Sequence, residues 1–343
     1  MRALKLLAAL SILVAFVGVV AIAGWSQIHA YMARPGPAKE ETVVVLPRGA
    51  VLAEITTLLN TSGVIDRPWM FRLAIRVLGR DRDLKAGEYA FPAGISPSSV
   101  IGMLASGDTV ARRVTIAEGL TVAEIFDLLA NTEGLSGELP EPPAEGSLLP
   151  ETYYYAFGDD RAQLLRRMQD GMRAALDELW AERREGLPLE SREEALILAS
   201  IVDKETSVPE ERHQVAAVFV NRLRRGMRLQ SDPTVIYGLT GGTGPLGRAL
   251  TRRDWEHDST YNTYRIYGLP PGPISNPGRE SIAAVLDPAD VDFLFFVANG
   301  GGGHSFAKSL KEHNRNVARW RRIKNGDEPR PVAPSPPRPA SAD

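Results

Sequence analysis

The chain has 343 residues, with 40 Lys and Arg against 42 Asp and Glu, and no cysteine. The near-neutral balance gives no general reason to expect nucleic-acid binding, and the missing cysteine removes disulfides, thiolate nucleophiles, Cys-ligated zinc and iron–sulfur clusters together. At roughly 150 residues per domain the length allows about two domains, and a hydrophobic share of 44% is that of an ordinary globular protein.

The first predicted element is apolar. Residues 6–28, LLAALSILVAFVGVVAIAGWSQI, carry no formal charge and follow Arg2 and Lys5. About 20 apolar residues cross the hydrocarbon layer as a helix, so this segment is long enough to span. The basic flank predicts residues 1–5 in the cytoplasm and the remainder outside, with Trp25 and Tyr31 near the far interface. A cleaved signal peptide competes, because Ala21-Ile22-Ala23 is a small-x-small sequence. The uncleaved anchor is preferred, since the apolar run exceeds the roughly 7–15 residues of a signal core. A linker follows over 29–41, including ARPGPAKEE from Ala33.

The next region, 42–140, repeats itself. VVVLPRGAVLAEITTLLN (from Val43) aligns without gaps to RVTIAEGLTVAEIFDLLA (from Arg113) at an offset of 70, with Gly49 over Gly119, Glu54 over Glu124 and Leu58 over Leu128. A third copy, FPAGISPSSVIGMLA from Phe91, places Gly94 and Leu104 at an offset of 45 from Gly49 and Leu59. Each copy predicts a short strand, a glycine turn and an amphipathic helix, modules that could share one sheet. Such βα modules resemble LysM-like domains, which bind cell-wall glycan. A spacer holding the second domain off the bilayer explains the same pattern.

Pro140, Pro142 and Pro143 predict a domain boundary, with the second domain over 141–325. EGSLLPETYYYAFGDD (from Glu145) opens it, and Tyr153-Tyr154-Tyr155 could stack on sugars or staple the domains together. A charged helix is predicted from Arg161 to about Glu185, with Leu164, Leu165, Met168, Met172, Leu176 and Leu179 on one face. Ser191 and Glu194 form a capping-box pattern that starts another helix. Its body, ALILASIV, is apolar on nearly every side and so predicted to be buried. At about 100° per residue, Leu198, Ile201, Val202 and Glu205 share a stripe, whereas Asp203 points roughly 140° from Leu198. A carboxyl at the end of a buried stripe is costly to ionise, which would raise its pKa toward that of a general acid. A glutamate leaving a fraying helix end is the alternative.

ILASIVDKETSVPEERHQVAAVFVNRLRRGMRLQSDPTVIYGL resembles the signature of the endolytic murein transglycosylases, the MltG or YceG-like family. The resemblance continues through LPETYYY, STYNTYRIYGLPPGPISNPGRESIAAVLDP and FLFFVANGGGGHSFAKSLKEHNRNV. It implies that Glu205, in the Lys-Glu-Thr motif, is the catalytic acid. It further implies cleavage of the β-1,4 bond between N-acetylmuramic acid and N-acetylglucosamine within a glycan strand, with a 1,6-anhydro end. The expected setting is the inner membrane with a periplasmic catalytic domain, and a role in ending nascent strands, with peptidoglycan synthases as partners. Family members often carry Glu where this chain has Asp203, which argues against an essential role there. A water-using muramidase with Asp203 or Asp232 as second carboxylate, and a non-catalytic glycan-binding scaffold, are the alternatives.

Gln230 and Asp232 stand beside Pro233, a natural place for a cleft loop, although Asp232 could instead cap a helix. Tyr261, Asn262 and Tyr264 could line a sugar subsite, Asn262 binding an N-acetyl group, or form a buried aromatic pair with a turn. NGGGGHSF after the strand FLFFVA lacks the Gly-Lys-Ser/Thr ending of a phosphate loop. It is read as a flexible loop that brings His304 to the cleft or merely turns the chain. The five histidines show no HExxH spacing, so neither a metal nor a cofactor is expected. Proline-rich residues 326–343 predict an extended tail. The fold class expected is α+β: a transmembrane helix, a LysM-like βα module, then a mixed catalytic domain with late strands around Ile266 and Phe293 to Val297.

Overall fold

The computed structural model describes residues 2–329, with side chains from Leu10 onward. The proline-rich tail expected over 326–343 lies outside the described residues beyond Pro329. The fold is mixed α and β, and it divides into two compact units. One comprises Met1–Arg113, Gly134–Ser136 and Tyr154–Asp159, the other Val114–Glu133, Gly137–Tyr153 and Asp160–Asp343. The division at Arg113 falls earlier than the boundary expected near Pro140.

In the first unit, α1 (Arg2–Ala33) is a single continuous helix. Over Leu10–Ala33 it is long and apolar enough to cross a membrane, and it exposes Leu13, Phe16, Val20 and Ile22. Its last turn is not the start of a free linker. Tyr31 and Met32 are buried in the unit's core, and the Gly36 amide donates to Gly94 O and Ile95 O. A side chain on Gly36 would run into the carbonyl oxygens of Ile95 and Val64, so the segment can lie this close only with glycine there.

β1 (Thr42–Leu46), α2 (Leu52–Thr61), α3 (Pro68–Val77), β2 (Gly87–Phe91), α4 (Pro97–Ser106) and β3 (Arg112–Thr115) follow. β1 and β2 pair antiparallel, from Thr42 opposite Phe91 to Leu46 opposite Gly87. Leu46, Leu59, Phe71, Tyr89, Phe91 and Leu104 are fully buried between the sheet and the helices. The repeated glycine turn is real: φ is +79° at Gly49, +65° at Gly94 and +77° at Gly119, a region that favours glycine. The shared sheet is not, because β1 and β2 form a two-stranded sheet to which β3 does not belong. The side-chain caps diverge too. Glu124 completes a capping box with Thr121, whereas at the matching start of α2 Val51 offers no side-chain cap.

Glu88 is 7% exposed and is held by a two-pronged ion pair, Arg112 Nε and Nη2 to its two oxygens at 2.6 and 3.0 Å. The guanidinium keeps the Glu88 carboxyl below the usual range. Arg112→Ala leaves this carboxylate charged and unpaired, and we expect a loss of about 3 kcal/mol at pH 7. Because a depressed pKa stabilises only above the unfolded value of 4.5, the deficit should shrink as the pH falls below that value. Urea unfolding of the detergent-solubilised chain, monitored at pH 7 and pH 4, measures both.

Beyond β3 the chain continues through α5 (Val122–Ala130), β4 (Thr152–Tyr155, divided between the units at Tyr153), α6 (Arg161–Ala181), α7 (Arg192–Glu205), a 3₁₀ turn (Pro209–Glu211) and α8 (Arg212–Arg224), all but β4 wholly in the second unit. α9 (Asp232–Thr240), α10 (Arg252–Trp255), α11 (Arg279–Leu286), β5 (Phe295–Ala298), β6 (His304–Ala307) and α12 (Leu310–Asn325) complete it. β5 and β6 form an antiparallel hairpin closed by the glycine-rich turn. Ile266, expected in a strand, lies in a turn instead. α7 packs against α11, α8, α6 and α9 at once, and Leu198, Ile201, Val202, Phe219, Ile282 and Val285 fill the space between them. The predicted face of α6 is correct: Leu164, Leu165, Met168 and Met172 are buried, and Leu176 and Leu179 pack on the core. Tyr153 is buried with its hydroxyl donating to Leu149 O, while Tyr154 is exposed.

Candidate active site

α7 delivers the site. Ser191 caps its N-terminus by accepting from Glu194 N–H at 3.2 Å, but the returning Glu194 carboxylate takes Glu190 N–H at 2.7 Å, one residue before the expected partner. The C-terminus is abrupt, since Thr206 turns to extended backbone (φ −143°, ψ 131°) and Glu205 is left as the last helical residue. Glu205 thus projects from a helix end whose carbonyls bear partial negative charge, a poor place for a carboxylate.

The Glu205 carboxyl is half-buried in a cavity of about 370 Å³ lined by Arg222, Gln230, Asp232, Tyr264, Phe295 and His313, among others. Its pKa is pushed up to about 7, chiefly by burial and further by Asp232, against the opposing effects of a Ser231 hydrogen bond and the Arg222 charge. Ser231 Oγ donates to Glu205 Oε1 at 2.6 Å. Oε1 is therefore occupied as an acceptor, and the proton of the neutral acid falls to Oε2. Ser231 is itself fixed, its N–H donating to Thr263 Oγ1 at 2.9 Å.

Arg222 lies close by yet makes no ion pair with Glu205. Its donors go to Leu294 O and Leu229 O, each at 2.7 Å, and its guanidinium lies 5.2 Å from the centre of the Phe295 ring. Burial lowers its pKa, but an arginine retains its charge. His313, on α12, stacks on Phe295 with ring centres 5.1 Å apart, and its Nδ1 is buried with no hydrogen-bond partner among the described residues. Burial first, and Arg222 second, push the His313 pKa down, so the imidazole is neutral at pH 7.

The residues singled out from sequence fare differently. Gln230 and Asp232 line the cavity with Glu205. Gln230 is a non-glycine residue with a positive φ, +53°, and its Oε1 is 3.4 Å from Arg222 Nη1. Asp232 is exposed and accepts from Tyr264 Oη at 2.7 Å and Trp255 Nε1 at 2.9 Å, so its carboxylate is fixed across from the helix end. Tyr264 is therefore the aromatic of the Tyr-Asn-Thr-Tyr motif that reaches the cavity. Tyr261 instead packs on Tyr237, ring centres 4.8 Å apart. Asn262 is fully buried, its amide donating to Trp255 O and His257 O and accepting from Tyr264 N–H, so nothing remains to bind a sugar. His304 Nδ1 pairs with Glu211 at 2.8 Å and its ring packs edge-on to Phe296, behind the cavity wall rather than among the lining residues. The glycine-rich loop is a tethered turn: Asn299 N–H donates to Gly303 O, and Glu211 accepts from His304 N–H.

Asp203, placed off the Glu205 stripe by helix geometry, is half-buried. It meets α11, where Ser281 Oγ donates to its Oδ1, and its Oδ2 is buried without a hydrogen-bond partner among the described residues. Burial raises its pKa to about 6. Asp203 is absent from the residues lining the Glu205 cavity. Sequence reasoning missed Ser231, Arg222 and His313. Ser231 was within reach, flanked by Gln230 and Asp232, whereas no local pattern marks Arg222 or His313.

Glu205→Gln should stabilise the fold. The carboxyl binds its proton more tightly when folded, so this part of the stability is fully present below pH 4.5 and is lost as the pH rises toward about 7. The amide carries no such cost, and the variant should gain at most about 3 kcal/mol at pH 8 and nothing below pH 4.5. Paired thermal melts at the two pH values measure the difference.

Comparison with known proteins places these residues in a wider set. Residues 44–319 match the model of the YceG-like family. An endolytic murein transglycosylase of Bacillus subtilis (strain 168) is 30% identical over 312 residues, covering 82% of this chain and 85% of its own. One from Streptococcus pneumoniae (strain D39) is 28% identical, and the match covers 82% of this chain but 58% of the longer pneumococcal protein. The crystal structure of a yceG-like protein from Listeria monocytogenes is similar at a TM-score of 0.50 and 30% identity, covering 81% of this chain and 99% of that one.

Proposed function

The chain belongs to the YceG-like family, and from that premise we propose that it cuts peptidoglycan glycan strands in the cavity around Glu205, with Glu205 as acid and then base. It is an enzyme, a lyase of the peptidoglycan lytic transglycosylase class, like its curated relatives. One observation carries the choice of Glu205: a carboxyl with a pKa of about 7 that lines an open cavity and has no ion-pair partner among the described residues. Such a group is protonated often enough near neutral pH to donate, and basic enough afterwards to accept.

In this proposal Oε2 of neutral Glu205 protonates the glycosidic oxygen as the bond to the anomeric carbon of N-acetylmuramic acid breaks. The C6 hydroxyl of the same sugar then attacks that carbon, and its proton passes to the Glu205 carboxylate. A 1,6-anhydro ring results, no water is consumed, and the acid is restored. Ser231 holds the carboxyl in one orientation throughout. Tyr264, Phe295 and Gln230 offer aromatic and amide surfaces to the sugars.

A second reading has one observation in its favour. Asp232 lines the same cavity, and a second carboxylate there could activate water in a hydrolytic muramidase. Asp203 is unsuited to that role, since its carboxyl is tied to Ser281. Further features support the setting: α1 is compatible with a single-pass anchor in the inner membrane, Arg2 and Lys5 with a cytoplasmic N-terminus and a periplasmic body, and the first unit's antiparallel pair flanked by helices with a LysM-like glycan contact. Peptidoglycan synthases are the partners that the family resemblance suggests.

Uncrosslinked glycan strands incubated with the full chain should yield 1,6-anhydromuramoyl ends by mass spectrometry. Glu205→Gln should lower the rate by at most about four and at least about two orders of magnitude. Reducing muramic-acid ends would establish the hydrolytic reading instead, and strands bound but never cut would point to a scaffold. Because the acid must be protonated to begin, the wild-type rate should fall tenfold per pH unit above about 7. A pH–rate profile on the same strands tests that slope.

A further inference from the structure

The first unit carries an exposed surface that neither the cavity nor the glycan reading uses. α3 runs from Pro68 to Val77 and buries Met70, Phe71, Ala74 and Ile75 against the core. Its outward arc should then be polar, but it is not. Trp69, Leu73 and Val77 recur every fourth residue and are 60%, 43% and 50% exposed, and Leu78 adds 51% at the helix end. Arg72 and Arg76, one turn apart, run beside this apolar line, and neither makes an ion pair among the described residues. From Arg67 to Lys85 there are six Arg and Lys against two Asp, and Arg80, Arg82 and Lys85 border a shallow depression just past the helix. Asp83 shares that depression and pairs with Arg80. A helix with Trp, Leu and Val on one outward strip and arginines beside it is the pattern of a segment lying in a bilayer interface, with the aromatic ring and guanidinium heads at the headgroup level.

The position of α3 gives a second, independent reason. It packs on the last turns of α1, and Val77 and Leu78 line an apolar cleft of about 310 Å³ together with Trp25, Ile28, His29 and Met32 of α1. α1 has 32 residues, about 48 Å at 1.5 Å per residue, and the hydrocarbon layer takes about 30 Å of it. The Trp25 end is therefore where α1 leaves the bilayer, and α3 is fixed beside it. An exposed apolar strip held at that depth, flanked by unpaired arginines, is complementary to anionic lipid in both polarity and charge.

We propose that α3 and the segment to Lys85 are a second membrane contact, docking the first unit on an anionic phospholipid surface next to the exit point of α1. The proposal rests on the reading of α1 as a membrane anchor. It makes the first unit a body fixed to the headgroup layer rather than one swinging from a tether, because its attachment has two points.

The cysteine-free sequence makes the test direct. Single cysteines at Trp69, Leu73 and Val77, at Phe16 in α1 and at Thr57 in α2 are spin-labelled in the full chain. The chain is reconstituted into phosphatidylcholine vesicles with and without phosphatidylglycerol. Accessibility to oxygen and to a water-soluble nickel chelate is read by electron paramagnetic resonance. Labels at 69, 73 and 77 should be shielded from nickel when phosphatidylglycerol is present, and the label at 57 should not. Arg72→Glu with Arg76→Glu should return nickel access at 77, since each arginine near the surface is worth about fivefold in partition. Nickel access at 69, 73 and 77 equal to that at 57, with the label at 16 still in lipid, overturns the docking and leaves the anchor. A label at 16 open to water overturns the anchor itself. Shielding of 69–77 that appears in native membranes but not in pure lipid would assign this face to a protein partner and overturn the lipid contact, and shielding unaffected by phosphatidylglycerol would overturn its charge preference.

Discussion

The constraint from which the rest of the second unit follows is the burial of the middle of α7, Ile197 to Val202, on every side. A helix surrounded by four others has no wet face, so any ionisable group it carries must come out at an end or remain in low dielectric. Glu205 does the first and Asp203 the second. At the end of α7 the Glu205 carboxyl reaches an open cavity, half-screened from water and placed against the negative end of its own helix. The chain leaves that end in extended backbone at Thr206, and Gln230, at positive φ, lines the same cavity. The raised pKa is thus built by the packing of Leu198, Ile201 and Val202 as much as by any neighbour of the carboxyl.

That dependence explains which parts were legible in the sequence. ALILASIV is apolar all round, and apolarity all round means burial, so the environment of Glu205 could be read from eight letters. The same letters carry a fact that a single stripe conceals: a helix buried all round has no outward side for Asp203. The 100° wheel places Asp203 relative to Leu198 but says nothing of what covers it, because the position of α11 is a property of the whole unit. Ser281, which binds Asp203, is far along the chain and gives no local sign of that contact. Arg222 and His313 were equally silent. One donates to backbone carbonyls and the other stacks on Phe295, roles that any arginine or histidine in a helix might be given by a distant hairpin.

The repeats teach a related lesson in the other half of the chain. Gly49, Gly94 and Gly119 are recognisable because a left-handed turn is a local demand, and all three meet it. Strand pairing is a non-local choice, and there the copies part: β1 takes β2, while β3 does not join them. The copy from Arg113 even runs from one compact unit into the other, its strand beginning before Arg113 and its helix α5 lying wholly beyond it. Local self-similarity fixed the modules without fixing their partners.

In the proposed reaction one carboxyl acts as acid and then as base, and the charges around Glu205 bear on both roles. Direct pairing of Glu205 with Arg222 would hold the carboxyl ionised and remove the acid; distance without charge would leave the carboxylate formed after proton donation unsupported. Arg222 stands between these limits, buried in the wall, its donors spent on Leu294 O and Leu229 O, its field still lowering the Glu205 pKa. Its charge, second to burial, also discourages protonation of His313. Asp232, tied to Tyr264 and Trp255, pulls the other way by raising the Glu205 pKa. The acidity is therefore a balance of burial, the Ser231 hydrogen bond and two opposite charges, and both charged side chains are held by bonds to the backbone and to rings rather than to Glu205, which leaves the Glu205 carboxyl free to change its protonation as the proposed reaction requires.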